Sequence, residues 1–122
     1  MGHTRSRKEG YLVKKEEIQS MAFMIISYAG SSFDHFYKSI ECARTGDFDS
    51  AEREMTLGKE DLKKAHESQT DMLSAETKNE DIPFSIIMTH AQDHLTMAIL
   101  TERMAKEFVC LYKERREDRK NG

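Results

Sequence analysis

Apolar residues return every three or four positions along most of this chain, the period of helices that each bury one side. Ile18, Ala22, Ile25, Ala29, Ser32, Phe36 and Ala43 predict a first helix from about Lys15 to Arg44, with Gly46 as the left-handed residue just past its end. Asp47 or Asp49 can cap the next helix, and Asp49 and Glu52 have the spacing of a capping box. That helix carries a narrow stripe of Ala51, Met55, Gly58, Leu62, Ala65, Gln69 and Met72, flanked by charge. Thr77 to Asp81 is polar, and Pro83 suits a first helical turn, so a third helix is predicted to start near Pro83 to Ser85 and to reach about Arg116.

Short connections between long helices imply antiparallel neighbours, hence an all-α, up-down-up three-helix bundle over residues 15–116. Residues 1–14 are expected to be a flexible basic tail and residues 117–122 a frayed end. The outer helices are apolar on too many sides for one chain. Met21 to Ile26 is continuously apolar, and the third helix carries two stripes. One is Ile86, His90, Asp93, Met97, Leu100, Met104 and Leu111, taken as the seam; the other is Ile87, Ala91, Leu95, Ala98, Ala105, Val109 and Tyr112. The surplus predicts a homo-oligomer joined through the first and third helices.

The length of 122 residues fits one domain, and a net charge of −3 excludes little by itself. Its distribution is uneven: residues 1 to 15 hold five bases against Glu9, whereas Asp49 to Asp81 hold ten acids against five bases. A short basic end of this kind does not suggest nucleic-acid binding. No apolar segment follows the basic residues of the first fifteen, and no apolar run spans a bilayer, so a cytoplasmic protein without membrane insertion is expected. Cys42 and Cys110 are expected to be reduced packing residues, and the eight methionines core filler.

The chemistry concentrates in His90-Ala91-Gln92-Asp93-His94-Leu95, which sets a titratable ring and a carboxylate three residues apart on one helix face. A carboxylate in an apolar seam requires a cation, a donor or water. His90 and His94 lie one turn apart, so His90-x-x-Asp93-His94 also has the spacing of a helical metal site, with His66 a conceivable further ligand. His35 is expected at a surface or interface.

Several segments resemble the lactose/cellobiose-type enzyme IIA component of the bacterial phosphoenolpyruvate-dependent sugar phosphotransferase system. The likeness spans about Glu17 to Lys113 and rests on Ile25 to Gly30, Gly46-Asp47-Phe48, Ala65-His66, Gln69-Thr70 and, most specifically, His90 to Leu95. It implies a nine-helix homotrimer, a cytoplasmic phosphocarrier that takes a phosphoryl group from phospho-HPr on His90 and passes it to a cysteine of the cognate IIB component for uptake of a β-linked disaccharide. Asp93 is implied to meet its symmetry mates around a divalent cation, usually magnesium, one per trimer. The lactose, cellobiose and chitobiose types all stay open. Thr89, Thr96-Met97 and the bulky Ser31 to Phe36 depart from the family's usual pattern.

Phosphohistidine suits a carrier because its P–N bond is labile, and in a loose phosphoryl transfer the protein mainly positions groups and stabilises charge. Gln92 could donate its amide to a phosphoryl oxygen, but residue i+2 points away from residue i, so it would act from a neighbouring subunit or across a cleft, or else be a polar residue at the subunit interface or surface. His94 is assigned a supporting role. The competing readings are a helical metalloenzyme using His90, Asp93 and His94, and a helical adaptor in which His90 only packs. A phosphorelay bundle of the two-component type lacks its His-x-x-Lys-Gly signature here.

Overall fold

The structure is a computed structural model that describes the backbone of residues 7–78 and 86–121 and the side chains of residues 15–75 and 86–121. It consists of three helices, α1 (Arg7–Arg44), α2 (Phe48–Lys78) and α3 (Ile86–Asn121). α1 packs along both partners, while α2 and α3 meet over a shorter stretch. The Lys113 ammonium stands over the Phe48 ring, and Gln92 meets Gln69, so α3 runs parallel to α1 and antiparallel to α2. This is the up-down-up order.

Two boundaries differ from expectation. α1 begins at Arg7, about two turns before Lys15, and α3 continues to Asn121 rather than ending near Arg116. Both extensions are rich in Arg, Lys and Glu, which favour helix without supplying an apolar period. Pro83 and the predicted start of α3 lie outside the described residues.

The first turn is a Schellman motif. Asp47 N–H donates to the Cys42 carbonyl (2.9 Å) and Gly46 N–H to that of Ala43 (3.0 Å), with Gly46 at φ 88°. Asp47, not Asp49, then caps α2: its Oδ1 accepts from Ser50 N–H at 3.1 Å, and its carbonyl accepts from Ala51 N–H at 3.0 Å. The two Ser50 bonds hold the Asp47 carboxyl below the usual carboxylate range. The cap thus sits two residues before the Asp49 of the predicted capping box, with the Asp47 N–H given to the Cys42 carbonyl instead.

The stripe assigned to α1 is buried throughout, with Ser39 added to it. Ser32 and Ser39 donate from α1 to the Gly58 and Ala51 carbonyls of α2, at 2.9 and 2.7 Å. These bonds satisfy buried hydroxyls and draw the helices close. Phe36 fills the remaining space beneath Gly58, where a Cβ would lie 2.5 Å from the ring. Fully burying side chains such as Ile25, Phe36 and Leu95 contributes about 1.5–3 kcal/mol each.

On α3 the roles of the two stripes are reversed. Ala91, Leu95, Ala98 and Ala105 are buried against the bundle, whereas Ile86, Met97, Leu100, Met104 and Leu111 are exposed. The two stripes are offset by one residue at most turns, roughly 100° around the helix, so with the alanine stripe turned into the bundle the other lies on an uncovered flank. α3 thus presents Met88, Leu95 and three alanines to its own chain and most of its other large side chains away from it.

Candidate functional site

His90 lies in the second turn of α3, between the buried Met88 and Ala91 that fix the helix on the bundle. Its own side chain and that of Asp93 are exposed, and His94 is half-buried. Within one chain both thus face outward, so the apolar stripe that holds them is not that chain's own core. Leu100, one turn past Met97, is 59% exposed and Met97 50%. The site therefore sits at the end of an uncovered apolar strip.

His90 and His94 meet ring to ring, with centroids 4.5 Å apart and planes at 78°. Their Nε2 atoms are 3.1 Å apart, a hydrogen bond in which one ring donates and the other accepts. Asp93 forms no hydrogen bond or ion pair among the described residues. No three His, Cys, Asp or Glu side chains gather around one point among these residues. The His90, Asp93 and His94 set thus does not converge within one chain as the metalloenzyme reading requires, and His66, exposed on α2, does not complete it.

Gln92 faces the opposite way. Its Oε1 accepts from Gln69 Nε2 of α2 at 2.6 Å, placing it within the α2–α3 contact. It does not approach His90 in its own chain, in accord with the i+2 geometry. Cys42 and Cys110 are free thiols, but Cys110 is exposed rather than packed.

Sequence reasoning missed a polar cluster between α1 and α2. His35 Nδ1 lies 2.6 Å from Glu54 Oε2, and its Nε2 lies 3.7 Å from Asp61 Oδ2. Ser31 donates to Asp61 at 2.5 Å, and Lys38 stands 3.6 Å from Glu54. The His35 hydrogen bond holds the Glu54 carboxyl below its ordinary value, with burial opposing and Lys38 assisting. Glu54 and Asp61 lie seven residues apart on α2 and so share one face of that helix, but nothing in that spacing names His35 of α1 as their partner.

Residues 20–113 match the family described as the lactose/cellobiose-specific IIA subunit of the PTS system. The chain is 35% identical over 102 residues to the PTS system lactose-specific EIIA component of Staphylococcus epidermidis, covering 84% of this chain and 98% of that one. Against the component of the same description from Lactococcus lactis subsp. lactis it is 34% identical over 101 residues, covering 83% and 96%. The crystal structure of the PTS cellobiose-specific enzyme IIA from Bacillus anthracis superposes with a TM-score of 0.78 at 30% identity, covering 82% of this chain and 92% of that one.

Proposed function

This chain belongs to the lactose/cellobiose-specific IIA family of the sugar phosphotransferase system, a family of phosphocarriers, and we propose that His90 is the residue that carries the phosphoryl group. The observation that supports this most directly is the exposed His90 ring hydrogen-bonded to His94. A His94 Nε2–H donated to the His90 Nε2 lone pair holds a neutral, correctly turned nucleophile. That nitrogen attacks the phosphorus of phosphohistidine on HPr; the donor's P–N bond breaks as the His90 P–N bond forms. The His94 N–H then serves a phosphoryl oxygen. In the second step a thiolate of the IIB component attacks, an S–P bond forms, and His90 is released neutral. No helix among the described residues is long and apolar enough to cross a membrane, which suits a carrier shuttling between such partners in the cytoplasm. The sugar served would be a β-linked disaccharide.

The working unit is a homotrimer closed through the outward stripe of α3. A strip holding Met97, Leu100, Met104 and Leu111, each 48% exposed or more, is costly to leave in water. Asp93, unpartnered and on the same strip, would bring three carboxylates together, and their repulsion favours a hard, oxygen-preferring cation. The three Asp93 carboxylates would together hold one divalent cation per trimer, magnesium in the simplest case, whose chemistry is charge neutralisation within the assembly. Gln92 would reach a phosphoryl group only across a subunit boundary.

Incubation with phosphoenolpyruvate and the general phosphotransfer proteins should add one phosphoryl mass per chain, mapped to His90. His90→Gln should add none. An unmodified wild-type chain would refute the carrier reading.

A further inference from the structure

The end of the bundle farthest from His90 carries a second concentration of chemistry. A cavity of about 130 Å³ is lined by Ala43, Arg44, Tyr112, Arg115, Arg116 and Arg119. Beside it, a wider one of about 540 Å³ is lined by Gly46, Phe48, Lys113, Arg116, Glu117 and Lys120. Arg116 lines both, so they form two lobes of one cleft. Six cations face one acid.

None of these cations forms an ion pair with an acid among the described residues. Packing like charges in this way raises the energy of the chain unless an anion joins them. The bland explanation, cations that complement helix C-termini, covers Arg44, Arg119 and Lys120, which lie in last turns. It does not cover Lys113, Arg115 or Arg116. Nor does the end of α1 need them, because the Glu41, Cys42 and Ala43 carbonyls already accept from Thr45, Asp47 and Gly46. Arg116 is moreover seated in the turn: its guanidinium occupies the space a side chain at position 46 would fill.

The lobes differ in character. Four guanidinium groups beside Tyr112 suit the oxygens of a phosphate, for which arginine offers paired donors. The wider lobe has an aromatic wall, the Phe48 ring, with Lys113 Nζ 5.8 Å from its centroid. Its volume is that of a small-molecule site. We propose that this cleft binds a small organic phosphate monoester, with the phosphate held between Arg44, Arg116 and Arg119 and the body of the ligand against Phe48. The cleft lies roughly 39 Å along α3 from His90, so it is a separate site and does not depend on the phosphocarrier reading.

Glucose 6-phosphate titrated into the full ¹⁵N-labelled chain tests it. Saturable shifts should appear at Gly46, Phe48 and Arg116, with none for glucose and weaker ones for inorganic phosphate. Arg116→Gln should weaken binding about tenfold while phosphorylation at His90 continues. Lys113→Gln, an exposed change, provides a second reduction. Absence of saturable binding up to about 10 mM overturns the proposal. Equal affinity for inorganic phosphate overturns the monoester assignment. Binding to phosphatidylglycerol vesicles but not to the soluble ester would also overturn it, showing a lipid-facing surface instead.

Discussion

The Nε2 atoms of His90 and His94 face one another at 3.1 Å, so one ring must supply the proton and the other the lone pair. On the proposed reading, His94 acts through His90 until a phosphoryl oxygen arrives.

Replacement of His94 separates these roles. His94→Gln retains an amide donor and is expected to keep much of the phosphorylation rate, whereas His94→Leu should lower it by about 10²-fold or more. Rapid-quench measurement of phosphoryl uptake with saturating phospho-HPr distinguishes the two. Equal rates in both variants would show that His94 only packs.

The outward stripe of α3 should govern assembly. Leu100→Glu places a charge among Met97, Met104 and the neighbouring turns, and is expected to convert a trimeric mass in analytical ultracentrifugation to a monomeric one. Its circular dichroism should remain helical, because Leu100 makes no part of the chain's own core. A wild-type protein that sediments as a monomer at all concentrations contradicts the proposed trimer.

Asp93 supplies a metal-dependent contrast. Chelation should lower the melting temperature of the wild type and leave Asp93→Leu unchanged, since that variant has no carboxylate repulsion to neutralise. Scanning calorimetry with and without a chelator reads this difference. A wild type indifferent to chelation would remove the shared cation from the account.

Phe36 and Gly58 fit as a pair. Gly58→Ala adds a methyl into the Phe36 ring, and the overpacking cost of about 1–3 kcal/mol should exceed the gain of about 1 kcal/mol in helix propensity. Phe36→Leu alone should also destabilise, by leaving space unfilled. The double variant should recover part of the Gly58→Ala loss in urea denaturation, and simple additivity would show that the contact does not couple them.

The Glu54 carboxyl gives a pH dependence of definite sign. Its value is depressed below 4.5, first by the His35 hydrogen bond, so the folded state releases this proton more readily than the unfolded one. The resulting stability is present above 4.5 and disappears as pH falls through the lowered value. Glu54→Gln should thus differ from the wild type near neutrality and converge on it in acid, as followed by denaturant midpoints across pH. A difference that persists in strong acid would point to packing rather than charge.

The periodicity of α1 specified its buried face apart from Ser39, because Ile18, Ala22, Ile25, Ala29, Ser32 and Phe36 follow one another at steps of three and four with no charged residue among them. α3 was less legible. Both of its stripes carry large apolar residues, and the bulkier one, with Met97, Leu100, Met104 and Leu111, is also the one that holds His90 and Asp93. The chain's own packing selected the alanines because small side chains let a third helix settle close to α1 and α2. The His90 motif could be located from its residues, yet its exposure followed only once that choice was known. The His35 cluster joins residues 19 and 26 positions apart, a pairing fixed by helix register and invisible to local spacing.

The alanine side of α3 has a consequence for how firmly the carrier helix is held. Methyl groups at positions 91, 98 and 105 offer little area to their own subunit, so a solitary chain anchors this helix with a modest grip. Most of its bulk is left for neighbours to clasp. If the proposed trimer holds, dilution should loosen α3, and His90 with it, before it unravels the α1–α2 hairpin, tying competence for transfer to the abundance of the protein itself.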